Sequence, residues 1–596
     1  MTRALRTLVL LAATLSASAT PIAFPPPIQK WTTLQVDELT FVSSVSASET
    51  MKIARDLLRM REAAGRITNL NVRSSKPMRI IVFASEGAFA PYREAISRVS
   101  QANVRGIFTG SDSAHFIVMV HDGAHPIERT VYHELMHYFL RNSVDGIPIW
   151  ANEGAAEYYS TFRSSAGAVQ VGHPIPEHLQ VLRSEQFLPL RKLLATTAQS
   201  PHYRHSRQGI FYAQSWALFH YLMNDDTRRA GLRQYLGLAG EGKPADEAFA
   251  KAFDRSYDTM ERELGAYVRG KTFVVREYPL SDLAVPDVPK PQPLSRAALL
   301  FELGNLLVHA TKPAPAVAKR MLEEALSLDP GLSGAHADLG RLHDIAGRRR
   351  EAEAAYARAV ALGSDDPLVY LVVGLSTLER SQTVARADSV AAVLQARKAF
   401  ERAAQLDPRS AIAWANIGAT YAMSAEDPAP GITALEKSLA MGFDDANAAL
   451  NLVRLYTRVD RRADAQRLID TVLARNATPE TLALARDLLV LADAEHLNAN
   501  GKTAEAAQLA RELATRTKEP TLKAHLEMRI AQFDSVTNYN RAVYALGDAV
   551  AKANAGRLAE ALAIVDRVLS ESTDPRALNE AKRLRADFER KAKLKR

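Results

Sequence analysis

The spacing of apolar residues changes character several times along the chain. Leu8 to Ala19 is an unbroken apolar run, preceded by Arg3 and Arg6 and ending in the small residues Ala17-Ser18-Ala19. A positive start, an apolar run and a small-residue cut site describe an export signal. The run is too short to span a bilayer, which needs roughly twenty residues. The expected signal covers residues 1–19, with a cut after Ala19, and the mature chain is expected to be periplasmic or secreted. No later stretch is long and apolar enough to predict a transmembrane segment.

After a Pro-rich lead (Pro25, Pro26, Pro27), Leu34 to Val45, Met78 to Ala84 and His115 to Val120 read as strands. Ser48 to Ala64 and Phe89 to Val99 carry helical, amphipathic spacing. From Pro126 to about Gly270 the pattern is helical throughout. The fold class expected for residues 20–270 is therefore α+β. Pro279, Pro286, Pro289, Pro291 and Pro293 then block helix and stiffen the backbone, so residues 271–295 are expected to be a linker.

Beyond residue 295 the chain repeats itself. "LGNLL" at Leu303 recurs as "LGRLH" at Leu339 and "VGLST" at Val373, at intervals of 36 and 34 residues, and "IGATY" begins at Ile417. "GRRREA" (Gly347), "GKTAEA" (Gly501) and "GRLAEA" (Gly556) share one pattern, and "LDP" at Leu328 and Leu406 marks helix stops. One helix pair cannot bury its apolar face alone, so such units stack. A period near 34 with small residues where paired helices meet resembles tetratricopeptide repeats. Residues 296–590 are thus expected to be an all-α solenoid, its spacing looser after residue 480.

Composition changes this picture little but excludes several chemistries. Apolar residues make up 47% and charged residues 24%, values of a globular chain and not of a disordered one. Cysteine is absent, which removes disulfides, thiolate metal sites and a cysteine nucleophile. A net charge of +8 over 596 residues is mild and gives no argument for nucleic acid. The basic tail Arg590 to Arg596 reads as a solubilising end.

The candidate chemistry lies in "VYHELMHYFL". His133 and His137 stand four apart, on one face of a helix, where two imidazoles grip one metal ion. Glu134 sits beside that ion and is suited to take a proton from a metal-activated water. A catalytic zinc usually has three protein ligands and an open position. Glu153 or Glu157, four apart on a second helix expected after Pro148, can supply the third; the other would then orient a ligand imidazole from outside. Two imidazoles and a carboxylate favour Zn2+ on ligand type.

"HELMH" followed by "WANEGAAEYY" resembles the gluzincin metallopeptidases, and more closely the bacterial peptidase-MA-like proteins, which join such a domain to tetratricopeptide repeats. The resemblance implies a zincin-like domain over residues 20–270, zinc held by His133, His137 and Glu153, Glu134 as general base, and Glu157 behind the ligands. "GIFYAQSWALFHYL" is similar to the gluzincin helix whose first-turn tyrosine donates to the oxyanion, which implies that role for Tyr212, with Arg204 and His205 as alternative donors. The fifteen residues between His137 and Glu153 are fewer than in the best-known aminopeptidase branch, and that branch's Gly-x-Met-Glu-Asn motif is absent, so aminopeptidase specificity is not implied.

The function expected is an exported zinc metallopeptidase acting on a peptide or protein substrate, with a repeat arm for a protein partner. The alternative is a non-catalytic scaffold of the cell envelope with a vestigial or regulatory zinc domain. A substrate strand is expected to pair with the edge formed near His115 to Val120. His115 could flank the cleft, and His121 and His125 could sit near the start of the zinc helix, but each of the three is expected on the surface. Trp150 and Trp216 are expected in the core.

Overall fold

The computed structural model describes residues 22, 24–26, 28–68, 70–73, 77–96, 104–111, 113–122, 129–141, 146–165, 167–197, 199–204, 209–279, 281, 283–382 and 385–594. The export signal at 1–19, His125 and His205 lie outside them. The chain divides into two compact units, Met1–Asp366 and Pro367–Arg596.

The first unit is built on strands β1 (Thr32–Val36), β2 (Leu39–Ser43), β3 (Met78–Phe83), β4 (Gly106–Gly110), β5 (His115–Val120), β6 (Arg163–Ser164), β7 (Ala168–Val171), β8 (Arg276–Pro279) and β9 (Gln292–Pro293). One sheet has the order β4-β5-β3-β2-β1-β9, and β6, β7 and β8 form a small second sheet. β2, β3 and β5 run parallel; β1 and β4 pair antiparallel with β2 and β5. The single strand expected over Leu34 to Val45 is a hairpin instead. Its two-residue turn puts Asp37 at φ 52°, a left-handed conformation that Asp tolerates.

Helices α1 (Ala47–Thr68), α2 (Glu86–Ile96), α3 (Arg129–Arg141), α4 (Ile149–Ser160), α5 (Pro176–Ser184), α6 (Leu190–Leu194), α7 (Pro201–Arg204), α8 (Ile210–Met223), α9 (Asp226–Gly240), α10 (Ala245–Ala252) and α11 (Tyr257–Arg269) follow. The central strands are buried on both faces, which explains their unbroken apolar runs. Met78, Ile80 and Val82 of β3 join Ile117 and Met119 of β5 in a core that also holds residues of α1, α3, α4 and α8. Ile81, Phe83, Phe116, Val118 and Val120 point into a second core.

That second core is completed by α12 (Arg296–His309), α13 (Pro315–Leu328) and α14 (Ser333–Ile345), the first helices of the repeat region. The stretch 271–295, expected as a linker, is laid back onto the first unit. β8 pairs with β7, β9 pairs with β1, and Leu294 N donates to Trp31 O at 2.9 Å. Enough apolar side chains flank the prolines for the segment to pair on sheet edges, where a missing N–H is tolerated.

The helix-pair repeat is present as its period predicts. α14 is followed by α15 (Arg349–Ala361), and in the second unit Pro367–Ser381, Arg386–Leu406, Ala411–Ala422, Ala429–Ala440, Ala446–Arg458 and later helices succeed one another. The recurring glycine is the close approach within each pair. A Cβ at Gly340 would stand 2.7 Å from the Tyr356 ring, and one at Gly418 would overlap Leu435. The glycines of the "G-x-x-x-E-A" motifs, Gly347, Gly501 and Gly556, all turn the chain with positive φ. Both "LDP" leucines end helices, at Leu328 and Leu406.

Candidate metal centre

α3 has apolar residues on most of its circumference: Val131, Tyr132, Leu135, Met136, Tyr138 and Phe139 are buried. His133, Glu134 and His137 form the remaining polar stripe, at i, i+1 and i+4. α4 starts after Pro148, whose fixed φ suits a helix entrance, and is buried over nearly its whole length, Glu153 and Glu157 included. α8 crosses α4 so closely that a Cβ on Gly154 would lie 2.5 Å from Ser215 O and 2.9 Å from Phe219 Cβ. This crossing brings Tyr212, at the start of α8, to the two carboxylates of α4.

His133, His137 and Glu153 form the one group among the described residues whose ligand atoms converge as a metal site would need. His137 Nε2 is 2.9 Å from His133 Nε2, and Glu153 Oε2 is 3.3 and 3.5 Å from those two atoms. Ligands at about 2.0–2.1 Å from a tetrahedral zinc stand roughly 3.3 Å apart, so the triangle has the size the ion requires. Glu153 Oε2 is buried, and among the described residues it makes no well-formed hydrogen bond, only the longer approaches to these two rings. A buried oxygen left so is costly unless something positive meets it. The donor set therefore fits zinc.

Each imidazole is held from behind. His137 Nδ1 donates to Asn152 Oδ1 at 3.1 Å, and His133 Nδ1 is 3.4 Å from Glu157 Oε1. Occupying Nδ1 in this way leaves Nε2 as the atom that could meet a metal. Glu157 Oε2 is in turn 3.3 Å from His178 Nε2 and 3.5 Å from Arg129. Tyr203 OH donates to the other oxygen of Glu153 at 3.1 Å.

The electrostatics follow from this packing. Burial works against ionisation of Glu153, but the His133 and His137 rings outweigh it and hold the carboxyl well below its usual range. For Glu157, burial is likewise outweighed by His133, His178 and Arg129, and its pKa is lowered to about 2. Burial opposes the charged form of His133, yet Glu157, Glu153 and Glu134 together raise its pKa. Both acids are thus carboxylates at any physiological pH.

Glu134 and Tyr212 border the open space on both sides of this cluster. A cavity of about 370 Å3 contains Phe108, Asn152 and Tyr203, and one of about 620 Å3 contains Arg129, Glu157 and His178; His133, Glu134 and Tyr212 line both. All six expected site residues, His133, Glu134, His137, Glu153, Glu157 and Tyr212, are therefore brought together. Trp150 and Trp216 are buried in the core beside them.

Other expectations need correction. β5 is not an edge: it lies between β4 and β3, and the outer strand is β4, which carries Phe108 of the cleft. His115 is buried, its ring 5.7 Å from Phe108 and 5.2 Å from Tyr138, because it alternates inward on β5. His121 is also buried, with Nε2 3.1 Å from Glu49 Oε2. Asn152, Tyr203, His178 and Arg129 are supporting residues that sequence reasoning missed. Only Asn152, adjacent to Glu153, carried a local signal.

No family model matches this chain, and no curated protein matches it. Among solved structures it is similar to YrrB, described as a tetratricopeptide protein with an unusual peptide-binding site, at 17% identity over 32% of this chain and 91% of that one, TM-score 0.27. It is similar to PilF of Pseudomonas aeruginosa at 19% identity over 39% and 97%, TM-score 0.25. A tetratricopeptide protein of Parabacteroides merdae gives 14% identity over 49% and 99%, TM-score 0.25.

Proposed function

We propose that this chain is a zinc-dependent peptidase of the gluzincin kind, carrying a helical-repeat region for a protein partner. The observation that carries the reading is the triangle of His133 Nε2, His137 Nε2 and Glu153 Oε2, at 2.9 to 3.5 Å, beside Glu134 and open space. When bound, zinc polarises a carbonyl and lowers the pKa of a water towards about 7. Glu134 takes the proton of the attacking water and passes it to the leaving amine. Tyr212 donates a hydrogen bond to the oxygen on which charge develops. Asn152 and Glu157 fix the two rings, and Tyr203 fixes Glu153. An extended peptide adds to the outer strand β4, whose Phe108 lines the cleft.

The test is metal analysis of the purified chain together with cleavage of a denatured protein, with and without a chelator. Stoichiometric zinc, chelator-sensitive cleavage and loss of cleavage in Glu134→Gln with zinc retained are expected. Full activity in that variant disproves the base assignment. The stacked helix pairs favour a second reading, in which the chain is a protein-binding scaffold and the zinc domain is vestigial or regulatory. Partner binding indifferent to chelator, with no cleavage of any substrate, decides for it.

A further inference from the structure

Behind the metal triangle, the carboxylate of Glu157 is strung between groups on two sides. Its Oε1 faces Nδ1 of His133 at 3.4 Å. Its Oε2 faces Nε2 of His178 at 3.3 Å and Nη1 of Arg129 at 3.5 Å. Those last two nitrogens are buried, and among the described residues neither makes a well-formed hydrogen bond. A buried donor left so is costly unless an acceptor meets it, and the acceptor within reach of both is Glu157 Oε2.

The two donors are not held alike. His178 shares the inward face of α5 with Leu182, four positions on. Its ring lies 5.9 Å from that of Trp216 on α8, the helix that α5 packs against and whose first turn carries Tyr212. The His178 side chain is 7% exposed, against 39% for Arg129. A ring enclosed in this way has one place to stand, whereas a partly exposed arginine on a long stem can retreat into water. The inward face of such a helix ordinarily takes apolar residues; an imidazole there needs a partner, and Glu157 supplies it. Burial opposes the Glu157 carboxylate, and His133, His178 and then Arg129 favour it.

We propose that His178 is a positioning residue of the metal centre: from α5 it fixes Oε2 of Glu157, so that Oε1 holds the His133 ring with Nε2 turned to the zinc position. Arg129 adds charge without setting the geometry. The proposal rests on the reading of His133, His137 and Glu153 as zinc ligands. It gives α5 two duties, because Glu177 and Gln180 of the same helix line the cavity of about 620 Å3 beside the metal centre.

The experiment measures the zinc affinity of the full-length chain by competition with a chromophoric chelator, with metal-free thermal unfolding to check that each variant is folded. His178→Phe keeps a ring against Trp216 and removes the donor; it should weaken zinc about tenfold, as the loss of support behind a metal ligand does. His178→Gln returns an N–H near the place of Nε2 and should recover most of that loss. If His178→Phe does not fold, His178→Asn, whose shorter amide falls short of Oε2, takes its place in the comparison. Arg129→Gln should cost roughly two- to threefold, as a partly exposed ion pair does. In a Glu157→Ala background the His178 substitution should add nothing, since its effect passes through that carboxylate. Equal losses with and without the restored donor, a loss of full size in the Glu157→Ala background, or a larger loss from Arg129→Gln overturns the proposal. So does native zinc affinity in His178→Phe, which leaves the metal reading standing; if kcat then falls in saturating zinc, His178 serves the substrate instead. A wild-type chain that takes up no zinc removes the metal reading itself, and this proposal with it.

Discussion

Glu157 Oε1 lies 3.4 Å from Nδ1 of His133, on the side of the ring opposite the Nε2 atom that faces His137 and Glu153. The two carboxylates of α4 thus grip one imidazole from its two ends, and their roles differ. On the proposed reading Glu153→Ala removes one of three ligand atoms and should abolish stoichiometric zinc. Glu157→Ala frees the ring without removing a ligand and should weaken zinc roughly 10–100-fold, as losses behind a metal ligand do. Competition against a chromophoric chelator measures both, and the reverse ranking would exchange the two roles.

Tyr203 and Tyr212 stack with ring centroids 6.2 Å apart, and Tyr203 donates to Glu153 Oε1 at 3.1 Å. Tyr203→Phe should therefore cost about tenfold in zinc affinity and little in kcat once zinc is saturating. Tyr212→Phe should leave zinc affinity intact and lower kcat about 10²–10³-fold, the usual cost of one oxyanion donor. A silent Tyr212→Phe beside a Tyr203→Phe that collapses kcat in saturating zinc would move the donor role to Tyr203.

Gly154 sits where α4 meets α8, with no room for a methyl group between it and Ser215 O. Gly154→Ala should force the helices apart, at a cost of about 1–3 kcal/mol for overpacking a tight core. Because the same crossing aligns Glu153 and Glu157 with Tyr212, zinc affinity should fall with stability. Thermal unfolding of the metal-free variant and chelator competition report the two effects separately. A variant with native zinc affinity would mean that α4 is placed by α3 alone.

The legible part of this site was local. His133, Glu134, His137, Glu153 and Glu157 announce themselves because helical spacing converts sequence separation into shared faces. Asn152 is legible for the same reason, by adjacency. Tyr203 and His178 were not, since they arrive from α7 and α5 and only tertiary packing sets them against Glu153 and Glu157. The sheet shows the same divide. Strand β5, six consecutive buried residues, is plain from its apolar run. Strand β4 is five residues bounded by glycines, with weak strand patterning, and it is the strand that forms the edge. The repeat was legible from its glycines and periods, but not where it begins to act as part of its neighbour. That α12 to α14 close the second core of the sheet depends on which faces of β3 and β5 remain uncovered.

One buried polar network fixes that closure, and its behaviour in acid follows. Asp338 Oδ1 is 2.9 Å from His309 Nε2, Asn305 Nδ2 donates to Asp338 Oδ2 at 2.6 Å, and His309 Nδ1 is 2.8 Å from Ser111 Oγ in the turn after β4. Burial disfavours the Asp338 carboxylate, but His309, Arg341 and Asn305 outweigh it and lower its pKa below the ordinary 3.8. A depressed carboxylate stabilises the fold fully above its unfolded pKa, and that contribution is lost as pH falls through the folded pKa. Stability of the first unit should therefore hold from neutral pH down to about 4 and decline below it. Asp338→Asn should cost about 1–3 kcal/mol at pH 7, the penalty for an impaired buried polar pair, and flatten this acid limb. Trp31, Trp150 and Trp216 lie in the first unit and Trp414 in the second, so urea unfolding followed by tryptophan fluorescence in a Trp414→Phe background isolates the relevant unit. Measured without metal between pH 3 and 7, wild type and Asp338→Asn should converge towards the acid end. Parallel curves over the whole range would mean that Asp338 contributes packing and no ionic stabilisation.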